Sequence, residues 1–330
     1  MRLPVPRNYQ YALIALDGAA AFNEQIDLGN GYFALPSGRI EFPPHWREWL
    51  GTVRTANIER AGLVLLSTVP AERPEVLGRE NELAGRRVNN LFWGFLAAGH
   101  LRFEGEGTGL TGGHGQGGID VRQESSTMLV RRLPGISTSY VSEADCRRAA
   151  FLAERVTALL GSPGMRRLKR ALGTFMQGFS ERDLGERIHQ FVRAVADGIA
   201  YSWSNTQFKY RSALFVGDRE DDTETCRELY VLRSNAEHFN EPDARIKPPL
   251  PIREGWLRGH RRALEAEFLA RHCFGRILER PQLWDYFRSQ DTLNAFWDLD
   301  QNVRAELFGP PMDLSAALTS FDPTAVSDEL

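Results

Sequence analysis

A chain of 330 residues with 42% apolar side chains is long enough for about two domains, each with its own core. Its 40 basic and 43 acidic residues exclude a general nucleic-acid coat. Residues 141–284 hold 24 basic and 20 acidic side chains and residues 285–330 hold 2 and 9, a distribution that fits a local phosphate site in the centre but not a long nucleic-acid track.

Residues 1–140 mix strand and helix signals and read as an α+β domain whose role the sequence does not indicate. Tyr11 to Leu16 is a short apolar run. Gly31 to Pro36 and Arg39 to Pro43 predict a hairpin turning at Ser37-Gly38. Trp46, Leu50 and Val53 predict a helix, Leu63 to Val69 a buried strand, and Leu83, Val88, Leu91, Phe92 and Phe95 a helix ending at Gly99. Leu101 to Phe103 and Ile119 to Leu133 read as strands on either side of the glycine-rich stretch 105–118. That stretch has glycines enough for a phosphate cradle. It lacks Gly-Lys-Ser/Thr, and a strand-like run follows it rather than a helix, so a flexible hairpin loop is the expectation.

Pro134 to Ser142 marks a boundary, and residues 141–308 read as helical. Ser142-Glu143-Ala144-Asp145 has the form of a capping box for a helix closed by Gly161. The next helix opens on the basic run Arg166-Arg167-Leu168-Lys169-Arg170, a solvated face or a phosphate contact, with Leu168, Leu172, Phe175, Met176 and Phe179 on its apolar side. Leu184, Ile188, Phe191, Val192, Val195 and Ile199 form a clear amphipathic stripe. Arg187, His189 and Arg193 fall off that stripe, where surface positions are the default and a place facing Arg233 is the alternative. Thr206 to Val216 is a shorter helix. A long helix follows Pro248-Pro249-Leu250-Pro251 and runs to about Arg280, with Leu257, Leu264, Phe268, Ile277 and Leu278 as candidates for burial. Leu283 to Leu307 predicts one or two more. Residues 309–330, opening on Gly309-Pro310-Pro311, are an acidic tail expected to be poorly ordered.

Three distant cysteines, Cys146, Cys226 and Cys273, without a CxxC, fit a reducing cytoplasm and no disulfide framework. Met1-Arg2-Leu3-Pro4-Val5-Pro6 has no signal-peptide core. The longest apolar stretch, around Leu91 to Ala98, is too short to span a membrane. The seven histidines form no HExxH and no Gly-x-Ser-x-Gly occurs, so no metal, cofactor or serine-hydrolase chemistry is expected.

The stretch that carries chemistry is Glu228 to Asn240. It reads as a helix capped by Thr223 or Thr225 and ended by Asn240-Glu241-Pro242. Cys226, Leu229, Tyr230 and Ala236 make its apolar stripe, and Arg233 lies on that stripe. A core-facing guanidinium must find an acceptor. A carboxylate would make Arg233 structural, and a phosphate would make it functional. His238, five residues on, can give and take protons near neutral pH. Such a pair suits RNA cleavage, in which the 2′-OH attacks the adjacent phosphorus. The histidine serves the proton steps, the arginine fork holds the phosphate, and the products end in a 2′,3′-cyclic phosphate and a 5′-OH. DNA lacks the attacking 2′-OH.

Tyr210-Arg211-Ser212-Ala213-Leu214-Phe215-Val216-Gly217-Asp218, then Arg227-Glu228-Leu229-Tyr230-Val231-Leu232-Arg233-Ser234 ending at His238, resembles the Apea-like branch of the HEPN superfamily. That branch shows an R-x-A-x-L-x-G-D segment followed by x-L-Y-x-L-R-S-x-x-x-H. The resemblance covers roughly Leu184 to Asn240. It implies an all-α HEPN-like bundle over residues 141–308, with the R-x4-H motif at Arg233 and His238. It also implies a metal-independent endoribonuclease, dimerising so that two Arg/His pairs line one cleft, and acting as a toxin or anti-phage defence effector on tRNA or other cellular RNA. A separate regulatory or antitoxin protein is a further implied partner. Ser234 and Asn235 are polar neighbours that could position RNA or serve the helix end. The alternative is a non-catalytic HEPN module binding RNA, a nucleotide or a partner protein. The family usually has Val-His-Gly where this chain has Glu237-His238-Phe239, and a glutamate there could raise the histidine pKa or occupy Arg233.

Overall fold

A computed structural model of the chain describes residues 3–18, 20–36, 40, 44–72, 78–99, 104–136, 140–238, 252–319 and 321–326. The chain divides into two compact units: Met1–Val130 with Thr138–Thr157, and Arg131–Ser137 with Ala158–Leu330. The first is an antiparallel sheet with helices and the second is helical, so the expected order, α+β followed by all-α, holds at that level.

The first unit runs β1 (Tyr9–Leu16), β2 (Ile26–Gly29), β3 (Tyr32–Pro36), α1 (Pro44–Arg60), β4 (Leu63–Pro70), α2 (Arg79–Ala98), β5 (Thr108–Gly115), β6 (Gly118–Ile119), β7 (Gln123–Ser126) and most of α3 (Glu143–Gly161). The sheet order is β2-β3-β4-β1-β5-β6, with β7 also paired to β5, and every pairing is antiparallel. β1 and β4 are almost wholly buried, as strands covered on both faces must be. Tyr11, Leu13 and Ala15 of β1 join Val64 and Leu66 of β4 in one core with Trp46, Leu50 and Ile58 of α1. α2 packs across β1 and β4, and Asn90 on it donates to Thr157 of α3 at 2.9 Å.

Two expectations change here. A further hairpin turns at Asn30-Gly31, between β2 and β3, because both residues take the positive φ that such a turn demands (52° and 74°); the turn expected at Ser37-Gly38 lies outside the described residues. Of the second arm expected over Arg39 to Pro43, only Ile40 lies within the described residues, as does none of Leu101 to Phe103. The glycine-rich stretch is largely a strand rather than a loop. β5 takes up residues 108–115 and pairs with β1, placing Gly112 opposite Tyr11 and Gly109 opposite Ile14. The Tyr11 hydroxyl donates to the Asp120 carbonyl at 2.8 Å across the space that a side chain at 112 would fill. Glycine therefore serves close approach at this position, not mobility. Finally, Ile119 to Leu133 contributes only the short strands β6 and β7.

α3 opens on the expected capping box. The Asp145 N–H donates to Ser142 Oγ at 3.2 Å, and the Ser142 N–H to Asp145 Oδ2 at 2.8 Å. The second unit continues with α4 (Arg166–Gly178), α5 (Leu184–Val195), a π-helical turn (Ala196–Ala200), α6 (Asn205–Val216), α7 (Glu220–Glu237) and α8 (Ile252–Glu279). A 3-10 turn (Pro281–Phe287), α9 (Gln290–Asp298), α10 (Gln301–Phe308) and α11 (Leu314–Ala317) complete it. α5 is central, packing on α4, α7 and α8, while α6 packs on α7. Phe175 stacks on Phe274 with ring centroids 4.7 Å apart, and Phe179 and Phe191 meet edge-on at 5.0 Å.

The surface default for Arg187 and His189 is overturned, since both are buried (3% and 7% exposed). Arg187 donates to Glu267 Oε2 at 2.7 Å and to the Arg131 carbonyl at 2.8 Å, and Arg271 donates to the other Glu267 oxygen at 2.7 Å. Burial alone would raise the Glu267 carboxyl, but Arg271 and then Arg187 hold it down at about 2. The acidic tail also departs from expectation. It forms α11, buries Leu314 and Val326, pairs Asp313 with Arg219 at 2.6 Å and bridges Phe321 to Ile136. All three cysteines are free and buried. Among the described residues no helix is long and apolar enough to cross a membrane.

Candidate functional site

α7 positions both candidate residues. It begins at Glu220, earlier than either proposed cap, with Glu220, Asp221 and Asp222 in its first turn, where carboxylates complement the helix dipole. Thr223 thus lies inside the helix, and its hydroxyl donates back to the Arg219 and Glu220 carbonyls. The helix ends at Glu237, and His238 is its C-cap; Asn240-Glu241-Pro242 lies outside the described residues. Cys226, Leu229 and Tyr230 are buried on the expected stripe, and so is Arg233 (9% exposed).

The acceptor that Arg233 requires is a pair of carboxylates. Its Nη2 donates to Asp197 Oδ2 at 2.9 Å and Oδ1 at 3.2 Å, and its Nη1 lies 3.3 Å from Glu237 Oε2. Its guanidinium also sits over the Tyr230 ring, 5.2 Å from the centroid. Glu237 is one helical turn beyond Arg233 and so on the same face. His238 is five residues on, about 140° round the helix, and is exposed. Helical spacing alone therefore sets the glutamate, not the histidine, over the arginine.

Asp197 is the residue that periodicity did not single out. It lies in the π-helical turn, whose extra residue per turn rotates it towards α7, and no sequence pattern announces such a turn. The one available signal was a carboxylate four residues after Arg193, whose Nε stands 3.8 Å from Asp197 Oδ2. Burial raises the Asp197 carboxyl above its ordinary value, with Arg233 and Arg193 opposing. His189 backs the site from α5, its Nδ1 3.2 Å from the Arg233 carbonyl oxygen. Arg167 donates to the Asp197 carbonyl at 2.8 Å, so this arginine of the basic run serves the site's frame rather than a solvated face alone.

Of the two polar neighbours, Asn235 is buried and turned away from Arg233. It lies about 200° round the helix from Arg233, is 1% exposed, and neither amide atom has a partner among the described residues. Ser234 is partly exposed, and its carbonyl accepts the His238 N–H at 3.2 Å, a helix-end role. Among the described residues no three His, Cys, Asp or Glu side chains converge as metal ligands do.

The two carboxylates should differ in weight. Asp197→Ala removes the bidentate acceptor of a buried guanidinium and is expected to cost about 1–3 kcal/mol. Glu237→Ala removes a half-exposed i,i+4 partner and should cost about 0.5 kcal/mol or less. Urea unfolding of the two variants checks the order, and equal losses would contradict it.

No protein-family model, curated protein or solved structure matches this chain.

Proposed function

We propose that the helical unit is a metal-independent endoribonuclease of HEPN type, with Arg233 and His238 as its catalytic pair. The observation that carries the reading is the setting of Arg233. Its guanidinium is buried and oriented by Asp197, while the carboxylates at its ends are themselves half-exposed (45% and 44%). The exposed His238 closes the same helix. In this reading a phosphodiester displaces Glu237 from Nη1, and Asp197 keeps the fork in place. His238 takes the 2′-OH proton, and the cyclic phosphate forms as the 5′-oxygen leaves and is protonated. One histidine must serve both proton steps unless a second copy brings its own, so the working form is proposed to be a homodimer with a shared cleft. Cytoplasmic RNA, tRNA included, is the proposed substrate, and a toxin or defence role with a separate regulatory partner goes with it.

A second reading draws on the same distances. An arginine already paired with two carboxylates has no net charge to offer a phosphate. This favours a non-catalytic HEPN module that binds RNA, a nucleotide or a protein elsewhere on its surface.

Incubating total cellular RNA in EDTA with wild type, His238→Ala and Glu237→Gln separates them. The enzyme reading expects cyclic-phosphate ends from wild type, at least a 100-fold loss in His238→Ala, and faster cleavage by Glu237→Gln, which frees Nη1. Cleavage by none of the three supports the module. Equal cleavage by wild type and His238→Ala removes His238 from the chemistry.

A further inference from the structure

The second unit holds a cleft between α6 and α10 that the proposed catalytic pair does not use. Its volume is about 450 Å³, the size range of small-ligand sites. Lys209, Tyr210 and Arg211 of α6, Trp297 of α9, and Arg304 and Ala305 of α10 line it, with Asp218 as the acidic member.

Its charge is unusual for this protein, whose arginines mostly meet carboxylates. Arg211 donates from Nη1 to the Ala200 carbonyl at 2.9 Å and to that of Tyr201, and Arg304 from its own Nη1 to the Trp297 carbonyl at 2.5 Å and to that of Leu299. Each uses one nitrogen on backbone oxygens. Among the described residues neither forms an ion pair, and their remaining guanidinium N–H groups have no protein acceptor. Both guanidinium groups stand on the Trp297 ring, 4.7 and 5.6 Å from its centroid, so two like charges share one aromatic support. Burial first, and the Arg304 charge second, push Arg211 below its ordinary value, with Tyr201 and Asp298 opposing. The Trp297 indole N–H is a further buried donor with no acceptor among the described residues. Lys209 differs, being held by Glu220 at 2.6 Å and Glu224 at 3.0 Å. Donors without acceptors in a concave, largely apolar site are the complement of an anion that carries a flat or apolar body. Tyr210, 71% exposed on the lining, offers a ring face for that body.

We propose that the cleft binds a nucleoside monophosphate, with its phosphate on the free N–H groups of Arg211 and Arg304 and its base against Tyr210. The volume suits one nucleotide rather than an extended strand. Arg211 also holds the carbonyls at the end of the π-helical turn that carries Asp197, so the ligand's phosphate and that turn share one side chain. The proposal is independent of the ribonuclease reading.

Calorimetric titration of the full chain with AMP, GMP, CMP and UMP tests it, with adenosine, inorganic phosphate and a nine-nucleotide RNA as the other arms. At least one monophosphate is expected to bind at least tenfold more tightly than adenosine and inorganic phosphate. Ala305→Glu, an exposed helical position that brings a carboxylate to the arginines, should weaken that binding at least tenfold, and Tyr210→Ala several-fold, with both variants retaining the wild-type circular dichroism. The proposal is overturned if no monophosphate binds at about 1 mM, if adenosine binds equally well, if the RNA binds and no monophosphate does, or if Ala305→Glu and Tyr210→Ala both bind as wild type does.

Discussion

Glu267→Ala is expected to destabilise the helical unit by about 3–5 kcal/mol, because it removes the common acceptor of two arginines in the core. Arg187 is 3% exposed, and without Glu267 its one remaining acceptor among the described residues is the Arg131 carbonyl; its Nε already has none. Glu267→Gln keeps the shape and one carbonyl acceptor, so it should cost clearly less. Urea unfolding followed at 222 nm reads both, and an Ala variant within about 1 kcal/mol of wild type would show that the cluster relaxes into solvent. The same cluster sets an acid response. The folded pKa of Glu267, about 2, lies below its ordinary 4.5. The carboxylate's contribution is therefore complete above about pH 4.5 and is lost as pH falls towards 2. At 1.36 kcal/mol per unit it amounts to roughly 3 kcal/mol. The stability gap between wild type and Glu267→Gln should accordingly narrow between pH 6 and pH 2.5.

Gly112→Ala is expected to cost the sheet unit about 3 kcal/mol. A Cβ there would lie 1.9 Å from the Asp120 carbonyl oxygen and 2.7 Å from the Tyr11 ring, so either the β5–β7 connection or the Tyr11 side chain must move. Tyr11 is fully buried and its hydroxyl donates to that same carbonyl, which leaves it little room to give. Gly115, at the end of the same strand, would meet nothing within 4 Å, and Gly115→Ala should stay within about 0.5 kcal/mol of wild type. Thermal unfolding of the two variants compares them directly. Equal melting points would mean that the strand has slack.

Much of the fold was legible in local text. The stripes of α4 and α5, the capping box of α3 and the apolar runs of β1 and β4 each follow from a period that one segment carries alone. The glycine-rich stretch departs from its expected loop for the opposite reason. Its glycines answer to Tyr11 and Asp120, and a residue chosen for a neighbour distant in sequence looks like flexibility when read in isolation. Arg187 and His189 failed in the same way. Off-stripe polar residues belong on the surface unless another helix covers that flank, and α7 and α8 both pack on α5.

The candidate site divides along the same line. The sequence by itself determined that Arg233 lies on the buried face of a helix, that it needs an acceptor and that His238 ends that helix, because helical period and the cost of an unpaired charge are local facts. Tertiary structure alone decided which acceptor. Asp197 reaches Arg233 through a π-helical turn and the packing of α5 on α7, and neither leaves a mark on the spacing of apolar residues.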